Sequence, residues 1–288
     1  MKVRITPQVK TLCHQLNFRA KKRLGQHFLI DEDVLESILS AAELSQQDTV
    51  IEVGAGLGVL TTGLAERAGK VIAVELDSKL VSILGKRLTH FPNVKIVQGD
   101  ILKITPEQLV KSSANASDLA QSYKVVANLP YYITSPVLRL FLQASLKPSL
   151  MVLMVQREVG KAIAATPGEM SFLSISTQFY AKPSIVINVP SRSFYPPPKV
   201  DSLVLRLDVY SKPPIEVSNV ASFFDIVSRG FSSPRKQLRN SLAQALEMPP
   251  GQVVSLLEKA GIEAKRRAET LSLEEWNRVW EVFVLLRK

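Results

Sequence analysis

Short apolar runs alternate with helical patterns through the first half of the chain. Thr49 to Val53 is a strand-sized run that breaks into Gly54-Ala55-Gly56-Leu57-Gly58, and a helical pattern follows to about Arg67. Lys70 to Leu76 is a second β-branched run, followed by a helix to about Leu88 and a third run from Val94 to Val97. Tyr123 to Leu129 and Ser149 to Gln156 are a fourth and a fifth, with a helix from Ser135 between them. Strands alternating with helices predict βαβ units and a mostly parallel sheet. Near-continuous apolar stretches such as Val125-Val126-Ala127 fit strands buried on both faces. After about Gly160 the pattern changes. Ile185 to Val189 and Leu203 to Val209 are strands separated by Pro196-Pro197-Pro198 and without a helix, as an antiparallel pair at a sheet edge requires.

From Asn219 onward the pattern is helical, with stretches from Pro250 to Ala260 and from Ser272 to Leu286. Ser232 or Ser233 caps a further predicted helix with Pro234 in its first turn. Lys111 to Ser122 reads as a variable loop. A boundary near residue 212 separates an α/β domain over 25–211 from a small all-helical domain over 212–288, and residues 1–24 read as a basic arm.

The chain's 288 residues, 46% hydrophobic and 22% charged, describe an ordinary globular protein. One cysteine, Cys13, cannot close an internal disulfide, and no apolar run approaches the roughly 18 residues of a membrane span. The net charge is +10, and Lys2, Arg4, Lys10, Arg19, Lys21, Lys22 and Arg23 all precede the first acid, Asp31. This predicts a cytoplasmic protein with a polyanionic partner, nucleic acid first and an anionic membrane surface second. Further cations cluster at Arg235, Lys236 and Arg239, read as one helix face, and at Lys265 to Arg267.

A strand that ends in a glycine turn and opens a helix lets backbone approach a nucleotide-like ligand and offers it free N–H groups. Val59 stands where a dinucleotide fingerprint has its third glycine, which counts against a nicotinamide cofactor. Glu75, about twenty positions after Gly54, ends the second strand where an acid accepts from ribose hydroxyls. Asp100 follows the third strand, placed to hold an adenine amine. No P-loop, metal-ligand spacing or hydrolase elbow is present in the sequence. Asn128-Leu129-Pro130-Tyr131 closes the fourth strand on the same edge. The Asn128 side-chain carbonyl and the Leu129 backbone carbonyl are suited to accept both hydrogens of an adenine amine, Pro130 to stiffen the turn, and Tyr131 to stack a base.

Gly25-Gln26-His27-Phe28-Leu29, Glu52 to Gly58, Asn128 to Tyr131, Phe194 to Ser202 and Arg235 to Leu242 together resemble the rRNA adenine N6,N6-dimethyltransferases, closest to the small-subunit (KsgA) type. The resemblance runs in order from about residue 19 to Trp276. It implies a Rossmann-like class I S-adenosylmethionine-dependent methyltransferase sheet with a small C-terminal all-helical domain. It also implies dimethylation of two adjacent adenosines near the 3′ end of small-subunit (16S) rRNA, with release of S-adenosylhomocysteine; the fold as read needs no partner to complete its core and no metal, so a monomer without a metal is expected. His27, Leu29, Glu52, Gly54, Gly56, Glu75, Leu76, Asp100, Ile101 and Asn128 would line the cofactor. Asn128 and Leu129 would hold the target amine, and Tyr131 and Phe194 would sandwich its base. Arg19, Lys21, Lys22, Arg23, Arg235, Lys236 and Arg239 would meet RNA phosphates. The family more often has Asn where His27 and Tyr132 stand, and a Tyr-Gly pair where Met170-Ser171 stands. Alternatives are a large-subunit adenine methyltransferase of the antibiotic-resistance type, a non-catalytic RNA-binding assembly factor and, more distantly, a dinucleotide oxidoreductase.

Overall fold

The computed structural model describes residues 11, 20–21, 24–111 and 122–286. The expected loop over 111–122 and the arm cations Arg19, Lys22 and Arg23 therefore fall largely outside the described residues. The described chain forms two compact units: residues up to Gly160 with Pro183–Val209, and Lys161–Lys182 with the residues from Tyr210 onward.

The first unit holds nine strands: β1 Phe28–Leu29, β2 Thr49–Val53, β3 Lys70–Glu75, β4 Val94–Gln98, β5 Tyr123–Asn128, β6 Leu150–Gln156, β7 Ala181–Val189, β8 Phe194–Tyr195 and β9 Ser202–Val209. Seven of them form one sheet in the order β4-β3-β2-β5-β6-β9-β7, and β1 pairs with β8 in a separate small sheet. The pairs β2·β3, β2·β5, β3·β4 and β5·β6 are parallel, whereas β9 runs antiparallel to β6. Val50, Ile51, Val71, Ile72, Val125, Val126, Met151 and Val152 are fully buried, as two-sided coverage of a parallel sheet requires. The order reverses at β2, with β3 on one side and β5 on the other, and the crevice at such a reversal is where open α/β sheets bind ligands. Helices α1 (Glu32–Ala41), α2 (Val59–Ala65), α3 (Ser78–Arg87), α4 (Pro106–Lys111) and α5 (Thr134–Leu142) complete the α/β pattern. α1 and α2 approach closely because Gly63 has no side chain: a Cβ there would lie 2.6 Å from Leu39 Cδ1.

Residues 161–182 carry α7 (Phe172–Gln178), which follows α6 (Arg157–Ile163) and was not expected from the sequence pattern. They belong with the helical unit, not with the domain expected to continue to residue 211. Met170, Ile175 and Phe179 join its core, the Phe179 and Phe223 rings lie 5.5 Å apart, and the Gly168 and Met170 amides donate to Glu269 O. The chain therefore changes unit at residues 160, 182 and 209, where the pattern suggested one boundary near 212.

The helical unit continues with α8 (Val220–Gly230), α9 (Leu238–Leu246), α10 (Pro250–Lys259) and α11 (Leu273–Leu285) around Phe223, Leu242, Leu256, Trp276 and Phe283. α9 starts at Leu238, not at a serine cap near 232. Residues 233–236 form a turn, Lys236 N donating to Ser233 O, and the first helical amides, Leu238 N and Arg239 N, donate to Arg266 O and Ala264 O. Arg235 and Lys236 thus precede the helix, so the expected single helix face with Arg239 does not form. Arg235 and Lys236 are exposed, and Lys236 Nζ donates to Gln244 Oε1 at 2.9 Å.

Candidate active site

The glycine turn leaves β2 at the order reversal. Gly54, Gly56 and Gly58 all have positive φ (76°, 59° and 81°), a backbone path that side-chain-bearing residues rarely take. Gly58 ends the turn as the left-handed N-cap of α2. The turn is held from β3. The Gly54 amide donates to Val74 O, and Glu75 accepts from Gly56 N at 2.9 Å through one carboxylate oxygen and from Asp77 N at 2.8 Å through the other. Burial pushes the Glu75 carboxyl up, and those amides act against the rise.

These residues open onto a cleft lined also by Leu24 to Leu29, Glu52, Leu76, Leu80, Asn128 to Tyr132 and Phe194. Glu52 is 1% exposed, and its Oε2 has no hydrogen-bond partner. Burial, with the neighbouring Glu75 carboxylate adding to it and the Thr61 hydroxyl opposing, pushes Glu52 up to about 8. A buried acceptor without a partner is costly unless a ligand supplies a donor.

β5 delivers Asn128 to the same edge. Its Nδ2 donates to His27 O at 3.1 Å, and Asn128 lines the cleft. Pro130 O receives Ile133 N in a short 3₁₀ turn over Tyr131–Ile133, fixing the backbone that carries Tyr131. The Tyr131 hydroxyl shares a 2.8 Å hydrogen bond with Ser202 Oγ, itself fully buried at the start of β9. Burial pushes the Tyr131 phenol up, so it stays protonated at neutral pH. The ring stacked on Tyr131 is that of His27, with centroids 6.2 Å apart and planes 22° apart, and His27 Nδ1 lies 2.7 Å from Pro196 O. Phe194 reaches the cleft from β8, where it pairs with Leu29.

The structure therefore gathers His27, Leu29, Glu52, Gly54, Gly56, Glu75, Leu76, Asn128, Leu129, Tyr131 and Phe194 around one cleft. It does not bring Asp100 and Ile101 to the wall. They lie one strand along, where Asp100 caps a 3₁₀ turn by accepting from Leu102 N and Gly99 N donates to Glu75 O. Of the expected phosphate contacts near the cleft, Lys21 is described, and its Nζ is 2.7 Å from Asp77 Oδ2. No role at the cleft was read for Ser202, Gln26 or Asp77, because the contacts Tyr131–Ser202 and Gln26–Asp77 span 71 and 51 positions.

The sheet order, the glycine turn at its reversal and the acid ending β3 define a class I S-adenosylmethionine-dependent methyltransferase fold. The sequence profile of the ribosomal RNA adenine dimethylases matches residues 17–284, so the chain belongs to that family. A protein of Dehalococcoides mccartyi named ribosomal RNA small subunit methyltransferase A is 49% identical over 96% of this chain and 92% of its own. One of the same name from Clostridium botulinum is 40% identical over 94% and 96%. Among solved structures, the 23S rRNA methyltransferase ErmE superposes with a TM-score of 0.69 at 28% identity, covering 88% of this chain and 98% of that one. A dimethyladenosine transferase from Plasmodium falciparum superposes with a TM-score of 0.75 at 24% identity, covering 90% and 98%.

Proposed function

We infer that this chain dimethylates the N6 amines of two adjacent adenosines near the 3′ end of small-subunit rRNA, with S-adenosylmethionine as methyl donor. The observation that carries the reading is the anchoring of Asn128 in the cleft wall: with Nδ2 held by His27 O, its Oδ1 would be the acceptor offered to the amine. The cleft fits the donor. Glu52 Oε2 is a buried acceptor suited to an ammonium, and Glu75 is buried where ribose hydroxyls would replace its amide donors. His27, Leu29, Gly54, Gly56, Glu52, Glu75 and Leu76 would hold it, with Asp100 and Ile101 meeting its adenine further along the edge. When bound, S-adenosylmethionine supplies an electrophilic methyl.

An adenine amine is a weak nucleophile because its lone pair is delocalised into the ring. Asn128 Oδ1 and the Leu129 carbonyl draw its two hydrogens out of the ring plane and localise the lone pair. Tyr131 and Phe194 hold the flipped base by stacking, worth roughly 1–3 kcal/mol for each base. The amine becomes acidic as it alkylates, so positioning and desolvation suffice without a strong base. Arg235, Lys236 and Arg239, with Arg19, Lys22 and Arg23 of the arm, supply phosphate contacts. The protein acts as a cytoplasmic monomer without a metal, and among the described residues no helix is long and apolar enough to cross a membrane.

Relatives at up to 49% identity carry the small-subunit name, against 28% for the large-subunit enzyme, which favours the small subunit as substrate. The test is transfer of labelled methyl to under-methylated small subunits, with large subunits as control. Wild type is expected to place dimethyladenosine on small subunits. Asn128→Ala is expected to lose on the order of 10²-fold or more in kcat/KM, by analogy with loss of one preorganised transition-state contact. Label on large subunits instead favours the antibiotic-resistance type. Subunit binding with no label in either protein leaves an assembly factor.

A further inference from the structure

The segment that roofs the cleft is fastened at each wall. At β5, His27 O accepts from Asn128; beyond it, Phe28 and Leu29 pair with β8, and Ile30 N donates to Ser193 O. The third fastening, at β3, differs in kind. Asp77 follows the ribose-side acid Glu75 by two residues, and its carboxylate is only 1% exposed. It accepts from Lys79 N as the N-cap of α3, from Gln26 Nε2 at 3.2 Å and from the Lys21 ammonium at 2.7 Å. Gln26 closes the loop on itself, since its Oε1 accepts from Lys21 N at 2.8 Å. Leu24 N also donates to Lys21 O. Burial raises the Asp77 carboxyl, but Lys21 and Gln26 outweigh it and hold the group below the ordinary carboxylate value.

The roof is thus closed at the cofactor end by one ion pair and one amide bridge. Neither Lys21 nor Asp77 lines the cleft, yet Leu24 to Leu29, which they hold down, all do. We propose that Lys21 and Asp77, bridged by Gln26, are positioning residues that form a catch on the roof of the cofactor cleft. Release of the catch sets the rate at which spent cofactor leaves between successive methyl transfers. The inference rests on the S-adenosylmethionine reading of the cleft. It assigns Lys21 to the cleft and not to RNA phosphate. A dimethylation product requires cofactor exchange for every methyl added, so a roof held by a separable ion pair keeps the cleft dry during transfer and still opens.

The test uses Lys21→Met, which keeps the apolar stem and removes the charge, and Asp77→Asn, which retains an N-cap side chain for α3. In the full-length, ligand-free protein, hydrogen exchange of the amides from Leu24 to Leu29 is expected to rise about tenfold in both variants, with amides of β2 and β5 unchanged. The dissociation rate of S-adenosylhomocysteine, followed by stopped flow, is expected to rise by a similar factor, with the single-turnover rate at saturating donor retained. Lys21→Arg is expected to restore both, and Lys21→Met with Asp77→Asn together to do no more than either alone, as one shared interaction requires. Wild-type exchange and release in Lys21→Met, or additive effects in the double variant, would overturn the catch. So would weakened subunit binding with release unchanged, which returns Lys21 to phosphate contact. Calorimetry of wild type separates the two failures: no binding of S-adenosylhomocysteine defeats the cofactor reading and the exchange role together, whereas binding with an unchanged roof defeats the catch alone.

Discussion

Glu52 stands within the glycine-turn motif, yet its chemistry comes from burial that the motif does not display. Its carboxyl is pushed to about 8, so between the ordinary carboxylate range and that value the folded protein holds a proton that the unfolded chain has released. Stability of the ligand-free protein must then fall as pH rises through this window. Glu52→Gln removes the linkage. Its melting temperature is expected to match wild type near pH 5 and to exceed it at pH 8, by roughly 2–4 °C for each kcal/mol recovered. Parallel melting curves for the two proteins across that range would refute the assignment. Other site residues divide by how local their reasons are. Gly54, Glu75, Asn128 and Tyr131 were legible as cleft residues because each lies at or within three residues of a strand end, in a short motif. Ser202 was not, because it meets Tyr131 only through the β6·β9 pairing, 71 positions away. Asp100 was legible by its place after the third strand, and one of its carboxylate oxygens caps the 3₁₀ turn that follows.

The elements that shape the cleft were legible where periodicity and capping agree. β2, β3, β5 and β6 lie within a residue or so of the apolar runs; in the helical unit, α11 starts where the pattern from Ser272 put it, with Ser272 and Glu275 forming a reciprocal cap. α9 was misplaced because its first amides are satisfied by carbonyls of residues 264 and 266, a tertiary substitute for a side-chain cap that has no local signature. The joint between β2 and α2 carries a sharper constraint. Gly58 sits at φ 81°, and a Cβ there would lie 2.8 Å from Leu84 Cδ2 of α3. Gly58→Ala is expected to cost about 1–2 kcal/mol in denaturant unfolding, through the left-handed backbone and a forced shift of Leu84. It should also weaken S-adenosylhomocysteine binding by moving the turn. Wild-type stability in this variant would show that the joint relaxes freely.

Across the whole molecule, the helical half was legible from the pattern that begins at Asn219, but the return of residues 161–182 to the helical unit was not. That return is a matter of which core Met170, Ile175 and Phe179 enter, and their apolar character fits either core. The charge of +10 was legible as a sum, whereas its distribution was not. Arg266 is committed to Glu275 at 2.6 and 2.9 Å, and Lys21 to Asp77, so neither is a free phosphate contact in the ligand-free protein. Arg235 and Lys236 remain exposed. Each contact to phosphate releases close to one condensed counterion, so the slope of log affinity against log salt counts the contacts. Arg235→Ala with Lys236→Ala is expected to weaken binding to under-methylated small subunits and to reduce that slope by about 1 to 2. Lys21→Met is expected to leave the slope at its wild-type value, because the charge it removes is already balanced by Asp77. An equal loss of slope in the two proteins would mean that Lys21 leaves Asp77 for phosphate when RNA binds.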